Sequence, residues 1–152
     1  KGVLCVSGPS VFAGYLNCSG KSPFIDIDSK RFYITGDIVE RDKNGVFTFK
    51  GRLKRFAKIG GEMISLPAIE SVLVDSLGQP DGPSLAVETT NHEPPEIILF
   101  TTLDIDREKA NNIIRTAGLS GLHSIRRVIK IDEMPLLGTG KTDYRSLKAK
   151  LD

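Results

Sequence analysis

Hydrophobic and polar positions switch in short runs along this chain, and the periods name the elements. Val3 and Cys5 alternate with Leu4 and Val6, predicting a strand buried on both faces and ended by Gly8-Pro9. Val11 to Leu16, broken by Gly14, reads as a second short strand. Asn17 to Lys30 is polar and contains Gly20 and Pro23, a loop with Phe24-Ile25 as a small anchor. Arg31 to Ile34 is a strand entering Thr35-Gly36-Asp37, where the glycine permits a tight, positive-φ turn that aims a carboxylate out of the sheet. Taken alone, that triplet is a weak signal and reads first as a surface turn capped by Asp37. Asp37 to Lys50 makes two strands around Asn44-Gly45, the preferred pair of a type I′ hairpin.

The second half changes period. A basic run from Arg52 to Lys58 is followed by Gly60-Gly61, a bare backbone that a thin ligand can approach closely. Glu62 to Ser65 is a short strand, and Ser65 caps a helix with Pro67 in its first turn. Ile69, Val72, Leu73 and Leu77 repeat at helical spacing up to a stop at Gly78. Ser84 to Thr89 and Glu96 to Thr102 are strands joined by a turn over Asn91 to Pro95. Asp104 or Asp106 caps a helix through Ala117, with Ala110, Ile113, Ile114 and Ala117 inward and Gly118 at its end. Ser124 to Ile131 is the last strand. Met134 to Asp143 forms a mobile loop ending in Lys141, after which Thr142 caps a helix packed through Tyr144, Leu147 and Leu151. The fold class is α+β.

Composition narrows the function classes. A chain of 152 residues holds one ordinary domain, or one small domain and a piece of another. With 39% hydrophobic and 26% charged residues it is globular. A net charge of +2 is too small to imply nucleic-acid binding, and only Phe56 interleaves the basic run, so no nucleic-acid partner is expected. Cys5 and Cys18 read as free thiols of a reducing, cytoplasmic compartment. No apolar run approaches the roughly 20 residues of a membrane span. Lys1-Gly2-Val3 has neither an initiating Met nor a signal segment, so the chain is expected to start within a longer parent. His92 and His123 lack neighbours at ligand spacing, so no metal site is expected, and neither has a serine or cysteine partner for nucleophilic catalysis. Lys141 at its glycine loop is a long, movable charge suited to a phosphate or carboxylate. A Walker-type loop fails, because Pro135 stands where its first glycine belongs.

Taken together, YITGD at Tyr33 to Asp37, DKNG at Asp42 to Gly45, GRLKRFAKIGGEMIS from Gly51, and P-x-x-x-x-G-K-x-D at Pro135, Gly140, Lys141 and Asp143 form an ordered set. The set resembles the adenylate-forming superfamily of acyl- and aryl-CoA synthetases, luciferases and peptide-synthetase adenylation domains, in its C-terminal part. The flavour is similar to the bifunctional 2-acylglycerophosphoethanolamine acyltransferase/acyl-[acyl carrier protein] synthetases, through KRFAKIGGEMIS and PLLGTGKTDY. Arg55, where relatives often carry an acid, and Tyr144, in place of an arginine, depart from the family pattern.

The resemblance implies two regions. Residues 1–50 would be the last strands of a large AMP-binding domain, completing a distorted barrel. Residues 51–152 would be a mobile lid with a β-hairpin and a mixed sheet packed by helices. The phosphate-gripping loop and the adenine motif would lie upstream of Lys1, in a missing N-terminal large domain. The parent would convert a fatty acid and ATP, with Mg, to an acyl-adenylate. It would then acylate a phosphopantetheine thiol, of acyl carrier protein or of coenzyme A, with an acyltransferase elsewhere in the parent serving lysophospholipid reacylation. By the family pattern Lys141 is catalytic, Asp37, Arg52 and Tyr33 bind nucleotide, Lys54 is the hinge, and Gly60-Gly61 lines the pantetheine channel. Arg55, Arg126 and Arg127 are candidates for carrier-protein docking. The 152-residue chain alone would be inactive and hold no cofactor tightly. Its parent would be cytoplasmic, meeting the cytoplasmic face of the inner membrane only through its other parts. The alternatives are a fragment of an acyl- or aryl-CoA synthetase and a non-catalytic anion-binding or interaction module.

Overall fold

A computed structural model describes residues 1–17, 20, 22–78 and 82–151. Cys18, expected as a free thiol, lies outside the described residues; Cys5 is free. The fold is α+β, as the periods predict, in two compact units, Lys1–Arg55 and Phe56–Asp152.

The first unit is an open antiparallel sheet; no barrel closes among the described residues. Its axis is β3 (Lys30–Arg41). Along one edge β3 pairs with β1 (Gly2–Val6). Along the other it pairs first with β2 (Phe24–Ile27) and then with β4 (Phe47–Arg52). β1 is half exposed rather than buried on both faces: Val3 keeps 38% of its surface, and Leu4, Cys5 and Val6 are only half-buried. Val11 to Leu16 is no strand. Phe12 and Tyr15 instead pack as an aromatic group with Phe24 and Tyr33, ring centroids 5.1 to 5.8 Å apart.

The polar stretch expected as a loop contains a hairpin. Asp28 and Ser29 take φ of 49° and 61°, and that two-residue turn joins β2 to β3. The Asn44-Gly45 turn forms, but not as type I′. The Asp42 carboxylate accepts from the amides of Asn44 (2.8 Å) and Val46 (2.9 Å), and only Gly45 is left-handed (φ 86°). The result is a three-residue loop with a glycine bulge, the next commonest hairpin connection.

The second unit carries the core. β5 (Phe56–Ile59) and β6 (Glu62–Ser65) form a hairpin that leads into α1 (Leu66–Leu77). Ser65 caps α1, accepting from Ala68 N at 3.4 Å, and Gly78 ends it as expected. β7 (Leu85–Thr89) and β8 (Ile97–Thr101) are antiparallel, and β9 (Arg127–Lys130) adds parallel to β8. A parallel return needs a crossover, supplied by α2 (Arg107–Thr116), capped by Asp106 on Lys109 N at 2.7 Å.

β8 is continuously apolar because both sheet faces are covered. Ile97 and Leu99 face the cluster of Ile69, Leu73, Ala110 and Ile114; Ile98 and Phe100 face Ala86, Met134 and Leu147 of α3 (Tyr144–Lys148). Truncating a fully buried leucine such as Leu73 costs about 2–5 kcal/mol. Ala117, expected inward, is exposed, since the helix ends at Thr116 and its backbone turns away. The last strand is also shorter than Ser124 to Ile131: Ile125 is tied to Asn111 instead of to the ladder.

Candidate functional site

Thr35-Gly36-Asp37 is a bulge inside β3, not a turn. Val3 pairs with Ile38 and Cys5 with Ile34, so Leu4 alone faces the three residues. Gly36 takes φ 75°, a conformation that L side chains rarely adopt, and thereby lets the strand continue past the extra residues. The Leu4 carbonyl, which the bulge deprives of its ladder donor, accepts the Thr35 hydroxyl at 2.8 Å. The same oxygen of Thr35 accepts the Asp37 amide at 3.0 Å. The Thr35 hydroxyl therefore closes the bulge from both sides.

On the opposite edge β2 stops at Phe24, opposite Tyr33, and β4 stops at Arg52, opposite Asp37. Between those ends β3 has no strand partner, and a cleft of about 470 Å³ opens there. Tyr15, Tyr33, Thr35, Gly36, Arg52 and Lys54 line it. Of the residues expected to bind nucleotide, the fold thus brings Tyr33 and Arg52 to one cleft, with Lys54 beside them in a 3₁₀ turn, Leu53–Arg55. Asp37 reaches it through Arg52, whose Nε lies 2.9 Å from Asp37 Oδ1. That contact is an ion pair by distance only: Oδ1 is shielded from water and has no aligned hydrogen-bond donor. Arg52 is 68% exposed against 21% for Asp37. An ion pair to so exposed a partner is worth about 0–1 kcal/mol, so a ligand that offers aligned donors can replace it. Tyr15, backed by the Phe12 ring, was not foreseen as a wall of this cleft; the aromatic spacing Phe12, Tyr15, Phe24, Tyr33 was its only signal in the sequence.

Lys141 belongs to the second unit. Its loop is a hydrogen-bonded hairpin: Leu137 N donates to Lys141 O (2.7 Å), Gly140 N to Leu137 O (2.8 Å) and Asp143 N to Pro135 O (2.8 Å). Leu136 and Thr142 form an isolated bridge, so Thr142 is committed there. The helix cap falls to Asp143, which accepts from the amides of Arg145 and Ser146 and from the Ser146 hydroxyl at 2.7 Å. Those bonds, the Ser146 hydroxyl foremost, hold its carboxyl below the ordinary aspartate range. Its cap is therefore in place above the unfolded aspartate pKa and is lost only as pH falls through the lowered folded value. Lys141 projects exposed, with no ion-pair partner among the described residues.

Gly60 (φ 58°) and Gly61 (φ 84°) are the two turn residues between β5 and β6, and both need the left-handed region. A Cβ on Gly60 would also meet Leu122 at 3.3 Å, whereas one on Gly61 would meet open space. Tyr144 donates to Glu70 Oε2 at 3.2 Å, and Glu70 Oε1 accepts Val87 N at 2.7 Å, so the departure from the family pattern joins α3 to α1 and β7. Arg126 precedes β9 and Arg127 opens it, and both are exposed. Arg55 ends the first unit. His123 meets a serine at its own 3₁₀ turn, Gly121–His123: Ser120 Oγ lies 3.0 Å from its Nδ1 in an exposed contact. No carboxylate orients that ring among the described residues, so the contact is a local side-chain hydrogen bond.

No protein-family model matches the chain. It is 26% identical over 156 residues to the D-alanine--D-alanyl carrier protein ligase of Lactiplantibacillus plantarum, covering 97% of this chain and 31% of the ligase. It is 31% identical over 158 residues to a plipastatin synthase of Bacillus subtilis, covering 96% of this chain and 6% of the synthase. Among solved structures, ATP-bound MatB from Rhodopseudomonas palustris superposes with a TM-score of 0.75 at 25% identity, covering 98% of this chain and 30% of MatB. The Mycobacterium tuberculosis fatty acyl CoA synthetase gives 0.59 at 27%, covering 78% and 24%. The chain thus spans less than a third of the length of these proteins. The relatives and neighbours are adenylate-forming enzymes, and the fold matches their C-terminal part.

Proposed function

We propose that the chain is the C-terminal part of an ATP-dependent ligase that activates a carboxylic acid as its adenylate and passes the acyl group to a thiol. The observation that carries the reading is the buried, donor-less oxygen of Asp37 beside Arg52, at a cleft walled by Tyr33. A ribose presents two adjacent hydroxyl donors, which is what that carboxylate lacks. Each charge-assisted bond of this kind contributes about 1.5–3 kcal/mol. Arg52, once released from Asp37, turns its fork to the nucleotide, and Tyr33 packs against its flat face.

In the first step the acid's carboxylate oxygen attacks the α-phosphorus, the bond to the β-phosphate oxygen breaks, and pyrophosphate leaves. Lys141 sits between carboxylate and α-phosphate and neutralises the charge that grows there. In the second step a thiolate attacks the acyl carbonyl, AMP leaves, and a thioester forms. The second unit turns about Lys54 between the steps, which removes Lys141 and brings Gly60-Gly61 to the pantetheine arm. No group of His, Cys, Asp and Glu able to hold a metal ion occurs among the described residues. A Mg ion that accompanies ATP is held mainly by the phosphates and water, so no residue of this chain is assigned to it and no step runs through it.

The finer reading is a fatty acid and the phosphopantetheine thiol of acyl carrier protein, in a parent that also reacylates lysophospholipid; it rests on KRFAKIGGEMIS and PLLGTGKTDY. A neighbour that is a fatty acyl CoA synthetase favours coenzyme A as the second reading of the acceptor. The test is carboxylate-dependent ATP–pyrophosphate exchange by the full-length protein that contains this chain, with a fatty acid, D-alanine and an aryl acid. Exchange is expected with the fatty acid, and none from the 152-residue chain alone. Exchange with no acid overturns the ligase reading; exchange with D-alanine alone overturns the fatty-acyl part.

A further inference from the structure

A second cleft, of about 350 Å³, lies in the second unit, away from every residue assigned above except Arg126. α2 contributes Arg107, Asn111 and Arg115 at successive four-residue steps, which stacks them on one helix face. Asn111 fixes the far wall by a reciprocal pair: its Nδ2 donates to Ile125 O at 2.9 Å, and its Oδ1 accepts Ile125 N at 2.7 Å. With Ile125 pinned, the next residue, Arg126, is held at the mouth of the same cleft, its own amide donating to Ile97 O at 2.8 Å.

Three guanidinium groups therefore line one concavity, against a single carboxylate, Glu108. None of the three has an ion-pair partner among the described residues, whereas Lys50 and Lys130 are paired with Glu40 and Asp104 at 2.9 and 3.1 Å. Like charges gathered without a counter-ion are destabilising, and the Asn111 clamp holds the wall that gathers them. An anion entering the cleft removes that repulsion. Guanidinium forks match the oxygens of phosphate in pairs, and a doubly charged oxyanion gains most from three of them.

We propose that Arg107, Arg115 and Arg126 form a binding site for the phosphomonoester group of a small ligand. The cleft's size and concavity favour a small molecule over an acidic protein surface, which needs a broad, convex match. The site is independent of the ligase reading, since it uses neither the Asp37 cleft nor the Lys141 loop. It also gives Arg126 a partner chemistry that does not require Arg127, which is not among the residues that line this cleft.

The test is an amide chemical-shift titration of the 152-residue chain with inorganic phosphate and with glycerol 3-phosphate, at ionic strength held constant with chloride. Saturable shifts are expected at Asn111, Arg115, Ile125 and Arg126 with both. Arg115→Gln and Arg126→Gln should each raise the midpoint by about tenfold, the loss of one charge-assisted contact. Lys43→Gln, an equal charge change in the first unit, should leave it unmoved, and unchanged shifts elsewhere show that each variant is folded. Linear, unsaturated shifts, or equal weakening by Lys43→Gln, overturn the site as mere screening. An acidic helical peptide that saturates these amides where both phosphates fail overturns the small-ligand assignment.

Discussion

Replacing Lys141 by alanine in the full-length protein is expected to slow adenylate formation by about 10²–10³-fold, the effect of removing one preorganised charge from a transition state. The folded state should hardly notice. The side chain is exposed, without an ion-pair partner among the described residues, and its loop is closed by backbone hydrogen bonds from Leu137, Gly140 and Asp143 that alanine keeps. Surface substitutions of that kind stay within about 0.5 kcal/mol. The loss is then chemical, and it should be confined to the first half-reaction: thioester formation from supplied acyl-adenylate should run at the wild-type rate. Measuring both half-reactions on one preparation decides the matter. Equal loss in both would mean that Lys141 acts on something common to the two steps, and its assignment to the α-phosphate would fall.

Replacing Lys54 by proline should produce the complementary split. Lys54 is the central residue of the 3₁₀ turn that ends the first unit, exposed, and one residue short of the division at Arg55 and Phe56. Hinge positions are few and take up large backbone changes. Proline fixes φ near −65°, which a 3₁₀ residue tolerates, but it crowds the preceding residue, Leu53. Adenylate formation is expected to stay within about tenfold of wild type, while overall thioester synthesis falls by much more, because the second step needs the rotation that proline blocks. A thermal unfolding midpoint close to wild type shows that the fold is intact. If both half-reactions fall with that midpoint unchanged, Lys54 belongs to the nucleotide site; if neither falls, it is no hinge.

The elements with long periods were legible in the sequence. α1 announced its cap at Ser65, its stripe at Ile69 and Leu73 and its stop at Gly78, and each stands where the pattern puts it. The β7–β8 pair was legible because EIILFTT is a short apolar run set off by a proline-containing turn; the cover on both of its faces shows only in the fold. The first unit was harder to read, since its elements depend on contacts far along the chain. Phe24 to Ile27 became a strand because β3 offered an edge, and its Asp28-Ser29 turn lacks the glycine that usually marks one. Thr35-Gly36-Asp37 has the composition of a turn. Only the pairing of Leu4 across three residues makes it a bulge, and only the bulge explains why the cleft opens there. Thr142 lost the cap to Asp143 because the Leu136 bridge had already claimed it. The residues that gather at the cleft, Tyr33 and Arg52 with Asp37 beside them, were legible by type and order; their roles toward a nucleotide, and that of Lys141, belong to the proposal. The aromatic wall was not legible, since Phe12 packs on Tyr33, and Tyr15 on Phe12, by contacts that no local period announces.

The central claim is that the unsatisfied carboxylate of Asp37 holds a ribose. The most direct measurement is the Michaelis constant of the full-length protein for ATP and for 2′,3′-dideoxy-ATP, in the wild type and in Asp37→Asn. Wild type should prefer ATP by at least about tenfold, because each ribose hydroxyl that bonds a charged partner is worth that much or more. Asp37→Asn should bind both nucleotides weakly and lose most of the preference, since the group that reads the hydroxyls is gone. A preference of unchanged size in the variant would contradict the account.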